Sequence, residues 1–206
     1  MTQDSAAETT PDGKRERAKA ANRDAILKAA KRVFAELGYE ASTVRDIIRG
    51  TELASGTFYN YFRSKEEVYE ALADDGARRF RPMLRAARED AGDFEDFIRR
   101  ALFAYFSFLR GEHVDGATPF TERSPHVRSD TPEMKAVYQE VRASIEEAIV
   151  RGMAPAVDAD YLTCACIGMA TDIGEAMLRR DPPDVQEASA FAAALILGGL
   201  AKLPRK

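Results

Sequence analysis

A chain of 206 residues, 45% hydrophobic and 31% charged, is long enough to bury its own core and has the make-up of a globular protein. No apolar run approaches the roughly 18 residues of a membrane span, and residues 1–19 lack the apolar core of a signal peptide. With Cys164 and Cys166 as its only cysteines the chain has no disulfide framework, so the expectation is a cytoplasmic protein without a membrane segment. The net charge of −4 conceals an asymmetry, because residues 14–65 carry twelve basic against six acidic side chains while the remainder carries eighteen against twenty-eight. A basic end on an acidic body is the electrostatic footprint of a nucleic-acid-binding protein.

Residues 1–13, rich in Thr, Ser, Asp and Pro, read as a disordered tail. Over 14–37 the residues Ile26, Ala30, Val33, Phe34 and Leu37 fall on one stripe, which predicts a helix ended by Gly38. Thr43, with Asp46 three positions on, forms a near capping box for a short helix that has Ile47 and Ile48 on its apolar side and Gly50 at its end. Residues 51–54 turn the chain and bring Leu53 into the angle. Then comes Ser55-Gly56-Thr57-Phe58-Tyr59-Asn60-Tyr61-Phe62-Arg63-Ser64-Lys65. Phe58 and Phe62, four apart, share one helix face and leave Tyr59, Asn60 and Tyr61 pointing elsewhere. A groove-reading helix needs aromatic anchors on one side and, on the other, short polar groups with donors for base edges and phosphates. Helix, turn and anchored helix read as helix-turn-helix.

Ser64 to Glu67 is a capping box that opens a long helix, within which Pro82 predicts a kink or break near Arg81. Asp93 caps a helix over 94–109 that is apolar almost all round in its second half. Residues 111–130 have little period and read as a loop or broken helix. Thr131-Pro132-Glu133 starts a further helix, with Pro at its first position. The last two helices, after Asp158 and after Asp184, are rich in Ala and Gly (Ala165, Gly168, Ala176, Ala188, Ala192, Gly198, Gly199), a composition that suits either tight packing within the chain or a subunit interface. The fold class is all-α, with a three-helix helix-turn-helix domain over 14–66 and a helical body over 67–206.

The stretch from Ala21 to Leu72 resembles the TetR family of transcriptional regulators. The likeness rests on Ile26-Leu27-Lys28-Ala29-Ala30, Val33-Phe34, Leu37-Gly38-Tyr39, Thr43-Val44-Arg45-Asp46-Ile47, the run from Gly56 to Phe62, and Ser64-Lys65-Glu66. Two positions depart from the family pattern. Glu52 stands in the turn where Gly is usual, and Ala54 stands where a Ser cap is common. At positive φ Glu52 would be strained, and Ser55 is a partial substitute for the cap. The resemblance implies a homodimer joined through the two C-terminal helices, a pseudo-palindromic double-stranded DNA operator, and a small apolar or amphipathic effector bound in the body.

The candidate DNA contacts are Thr43 and Lys65 for phosphates at helix N-termini, Tyr59 and Tyr61 for phosphates through their phenols, and Ser55, Gly56, Thr57 and Asn60 nearest the groove floor. For the effector cavity the candidates are Phe103, Phe106, Met134, Tyr138, Met169 and Asp172; Asp172 and Glu175 suit a cationic ligand, an interface ion pair or solvent equally. The sequence contains no Walker loop, no dinucleotide fingerprint, no Gly-x-Ser-x-Gly and no His-Glu-x-x-His. His113, His126, Cys164 and Cys166 lack metal-site spacing and read as structural, so no catalytic residue, metal or cofactor is expected. The rival readings are an activator or architectural DNA binder without a ligand, and a helical enzyme or binding protein that never engages DNA.

Overall fold

The computed structural model describes residues 11–114, 131–200, 202 and 203. The helices are α1 (Pro11–Leu37), α2 (Val44–Arg49), α3 (Ser55–Tyr59), α4 (Lys65–Glu89), α5 (Phe94–Val114), α6 (Pro132–Val150), α7 (Ala159–Leu178) and α8 (Val185–Leu200), and the described residues contain no strand. Their starts follow from local chemistry. From α4 onward each helix is preceded by Ser, Thr or Asp, whose side-chain oxygen accepts the N–H three residues ahead: Ser64 from Glu67, Asp93 from Asp96, Thr131 from Met134, Asp158 from Tyr161 and Asp184 from Glu187, at 2.8–3.3 Å. Gly38 ends α1 at φ 77, a left-handed conformation open to Gly without steric cost, and donates its N–H to Phe34.

Three boundaries differ from the sequence reading. Residues 11–13, assigned to the tail, are already helical, with Pro11 in the first turn, where a missing N–H costs no bond; residues 1–10 lie outside the described residues. Helix α5 continues through Val114 rather than stopping before Gly111, and the rest of the expected loop, with His126, lies outside the described residues. Helix α4 is not broken at Pro82. The ring sits on the exposed side of the helix, and the arginines on either side of it tie α4 to α6. Arg81 reaches Glu133 at 2.5 Å and Glu140 at 2.7 Å, Arg85 reaches Glu140 at 2.6 Å, and Arg88 pairs with Glu147.

The apolar side chains form two clusters. The first joins α1 to α4 through Ile26, Phe34, Tyr39, Ile47, Phe58, Phe62, Val68, Tyr69 and Leu72. Within it Tyr39 packs at a tilt against Phe34 at 5.4 Å and edge-on against Tyr69 at 4.9 Å, ring centre to ring centre. The second fills the body, from Phe80 and Leu84 of α4 through Phe97, Phe106 and Ile145 to Ala192 and Ile196. One continuous helix, α4, thus serves both cores, and the first core extends to Leu72, past the boundary drawn at residue 66. Helices α5 and α7 approach so closely at Gly174 that a Cβ there would lie 2.5 Å from Leu109 Cδ1.

Phe58 and Phe62 are 1% and 5% exposed, so both rings are anchors rather than surface groups. Phe62→Ala is expected to reduce unfolding free energy by about 3–5 kcal/mol, read as a lower denaturant midpoint.

Candidate nucleic-acid interface and ligand cavity

Burial of Phe58 and Phe62 decides which side of α3 faces out. Ser55, Gly56, Tyr59 and Asn60 are exposed, and Thr57 is half-buried. Tyr59 is braced edge-on against Phe58 at 5.4 Å between ring centres. Tyr61 is half-buried against the first core, and its hydroxyl accepts a hydrogen bond from Asn22 Nδ2 of α1 at 3.3 Å. Arg23 of α1 lies over the Phe62 ring, 5.5 Å from its centre.

The turn before α3 has its own solution to the missing glycine. No non-glycine among the described residues has positive φ, so Glu52 is unstrained. Thr51 holds the turn instead, since its hydroxyl donates to Ile48 O at 2.8 Å and accepts from Leu53 N at 3.2 Å. Ala54 supplies no side-chain cap.

Two residues assigned to phosphates have their donors engaged within the protein. The Thr43 hydroxyl donates to Asp46 Oδ2 at 2.6 Å, and the Thr43 N–H donates to the same oxygen at 3.0 Å. These bonds hold the Asp46 carboxyl below its ordinary range. Lys65 Nζ donates to the carbonyls of Tyr39 at 2.8 Å, Ser42 at 3.1 Å and Glu40 at 3.3 Å, and lies 4.4 Å from the centre of the Tyr39 ring. An ammonium has three protons, and all three are engaged. Lys65 is therefore a clamp that fixes the α1–α2 loop onto the start of α4. The Tyr39 hydroxyl adds to the clamp by donating to Glu66 at 3.1 Å, and burial together with the Glu66 carboxylate pushes its phenol well above the ordinary value.

The body contains a partly open cavity of about 320 Å³ between α4, α5, α6, α7 and α8. Phe80, Leu84, Phe97, Tyr105, Phe108 and Val137 dominate its wall, and Thr171 and Glu175 add polar groups. Of the six residues proposed from sequence, only Met134 lines it. Phe106 is fully buried behind the wall, against Gly174, and Phe103 is 46% exposed on the outer side of α5. Met169 packs into the core, Asp172 is exposed, and the Tyr138 hydroxyl lies at the surface 3.6 Å from Cys164 Sγ. Burial pushes the Tyr105 phenol up to about 12, with Thr171 beside it, and pushes the Cys166 thiol up to about 11. Among the described residues no group of His, Cys, Asp and Glu gathers as metal ligands.

One ion cluster joins the two cores. Glu112, 8% exposed in the last turn of α5, accepts Lys31 Nζ of α1 at 2.9 Å and both terminal nitrogens of Arg79 of α4, at 2.5 and 2.8 Å. Burial alone would raise the Glu112 carboxyl, but the two cations outweigh it and hold it below its ordinary value. Arg79 also covers the Phe108 ring, a cavity-lining side chain, at 5.6 Å.

The arrangement is that of a helix-turn-helix unit whose following helix, α4, continues into a helical body with a cavity of about 320 Å³. Residues 26–72 match the family model for bacterial regulatory proteins, tetR family. The HTH-type transcriptional repressor AcnR of Corynebacterium glutamicum is 41% identical over 133 residues, which cover 62% of each chain. An HTH-type transcriptional regulator of Bacillus subtilis, YhgD, is 29% identical over 85 residues, 41% of this chain and 44% of that one. The chain thus spans less than two thirds of these curated relatives. The fold is shared with the transcriptional regulator FadR from Bacillus subtilis, solved in complex with stearoyl-CoA: TM-score 0.71 and 21% identity over 85% of this chain and 98% of that one. The likeness to the TetR family is thus carried by residues 26–72, and over most of the chain the shared fold extends it.

The Lys65 clamp yields a prediction that separates the two roles. Lys65→Ala is expected to lower stability by about 1.5–3 kcal/mol while leaving the slope of log affinity against log salt unchanged. A phosphate contact would instead flatten that slope by about one unit. Thermal unfolding and salt-dependent duplex binding, measured on the same variant, distinguish them.

Proposed function

We propose that the protein is a ligand-responsive transcriptional regulator, most simply a repressor, that binds a pseudo-palindromic operator as a homodimer in the cytoplasm. The observation that carries this reading is α3. Its small polar face, Ser55, Gly56 and Asn60, is exposed while Phe58 and Phe62 lock it from behind, in a stretch, residues 26–72, that matches the tetR family model. Asn60 suits bidentate contact with adenine, Thr57 suits a thymine methyl, and Tyr59 reaches toward phosphates. Tyr61 contributes chiefly by bracing the helix on α1. Long-range attraction comes from the basic residues 14–65, with Arg45, Arg49 and Arg63 exposed around the helix-turn-helix.

The dimer rests on α7 and α8. One side of α8 is buried within the chain at Ala188, Ala192 and Ile196, so Ala192 is a core residue and not part of an interface. The other side presents Phe191 and Leu195, 61% and 53% exposed, followed by Gly198 and Gly199, where an added Cβ would meet nothing. Tyr161 and Ala165 continue this surface on α7. An apolar stripe beside glycines that touch nothing in their own chain fits close approach of a second copy across a two-fold axis.

Release requires an effector that binds the non-operator conformation more tightly. The cavity wall includes Tyr69, Gly76, Phe80 and Leu84, all on α4, so an occupant acts directly on the helix that carries the DNA-binding domain. The Lys31–Glu112–Arg79 cluster sets how α1 follows. That the B. subtilis FadR structure holds stearoyl-CoA supports an amphipathic occupant for this fold.

Selection of bound duplexes from a random pool, followed by titration at several salt concentrations, tests the function. A chain with no salt-dependent duplex binding is instead a helical binding protein or enzyme. Asn60→Ala is expected to weaken the selected site by about 1–3 kcal/mol and to relax one base position per half-site. Phe191→Glu or Gly199→Arg is expected to give a folded monomer with little operator affinity; a wild-type chain that sediments as a monomer at micromolar concentration overturns the dimer.

A further inference from the structure

The chemistry of the cavity wall goes beyond size. Glu175 of α7 is the one charged residue of that wall among the described residues. Its side chain is 13% exposed, and Arg179, one turn on and 66% exposed, approaches it to 3.9 Å from the solvent side. Beside it stand the Tyr105 and Thr171 hydroxyls, and the Thr171 hydroxyl is committed as a donor to Ile167 O at 2.8 Å. The same cavity is rich in aromatic rings: Phe80 packs edge-on against Tyr105 at 5.3 Å and lies 5.7 Å from Phe108, ring centre to ring centre, and Phe97 lines the cavity with them.

From this geometry we infer that the effector is an amine-bearing amphiphile, whose ammonium pairs with Glu175 among the aromatic rings and whose hydrocarbon part fills the region of Leu84, Phe97 and Val137. The inference rests on the reading of the body as the effector site. A carboxylate on a largely apolar wall attracts a cation and repels a second carboxylate, more so than in bulk water because apolar surroundings screen less. Aromatic faces add cation–π attraction for an ammonium. The Phe108 ring already carries a cation on its outer side, where Arg79 sits at 5.6 Å. That guanidinium is not available to an anionic head group, since Glu112 takes both its terminal nitrogens and Asp75 pairs with it at 3.0 Å. At about 320 Å³ the cavity lies at the lower end of ligand pockets, which suits a short chain or a ring or two rather than an acyl thioester with its nucleotide.

The test uses the full-length protein and a matched set of probes, n-decylamine, n-decanol, n-decanoate and decanoyl-CoA, titrated calorimetrically at neutral pH. Decylamine is expected to bind at least about tenfold more tightly than decanoate, and Glu175→Gln to remove most of that preference while decanol binding stays the same in both proteins. Decanoate or decanoyl-CoA binding as tightly as the amine overturns the inference, as does an unchanged amine preference in Glu175→Gln. So does binding by none of the four probes. The wild-type comparison needs no variant, so a poorly folding Glu175→Gln leaves the test standing. Duplex binding by the unliganded protein is measured alongside, so failure of the regulator reading shows in that assay and failure of the amine assignment shows in the titrations.

Discussion

Helix α4 must satisfy two cores at once, and most of the structure follows from that requirement. Its first two turns give Val68, Tyr69 and Leu72 to the helix-turn-helix cluster, and two turns later it gives Phe80 and Leu84 to the body. The small residues Gly76 and Ala77 lie between these stretches and open onto the cavity. A break at Pro82 would uncouple the body from the helix-turn-helix end. The helix stays whole because the proline faces water and because Arg81, Arg85 and Arg88 bind it to α6. The Lys65 clamp at one end and the Glu112 cluster further along then fix its position against α1 and its loop.

The helix-turn-helix was legible in the sequence because its determinants are local. The Thr43–Asp46 box, the four-residue spacing of Phe58 and Phe62, and Gly38 each act within a single turn of chain. The role of Lys65 was not legible for the opposite reason. The carbonyls that occupy Lys65 lie more than twenty residues upstream, and nothing in the local pattern shows that an ammonium at a helix start is already satisfied. Glu52 shows the same limit in a milder form. A missing turn glycine looks costly until Thr51 is seen bracing both sides of the bend.

The body was legible as helices but not as a cavity. The second half of helix α5 is apolar almost all round, so periodicity cannot tell the face at Tyr105 and Phe108, which borders the cavity, from the face at Phe106, which meets Gly174. Composition likewise marked the small residues of α8 without sorting them. Ala192 is buried in its own chain, whereas Gly199 has nothing over it. Glu175 was recognised as a charge in an apolar helix, yet only the packing of α7 on α5 shows that it, and not Asp172, borders the cavity.

The close approach at Gly174 gives the cavity walls of unequal stiffness. On that side α5 and α7 are already at van der Waals contact, and a further squeeze would drive Leu109 into backbone, where the repulsive wall is steep. Across the cavity, α4 and α6 are joined by partly exposed arginine–glutamate pairs, polar contacts that can exchange for water as the helices part and so yield sooner than packed backbone. Unequal compliance of this kind acts as a mechanical rectifier. A guest slightly too large for the space pushes the soft wall and leaves the stiff one in place, so its excess volume becomes displacement of α4 and not a general swelling of the body.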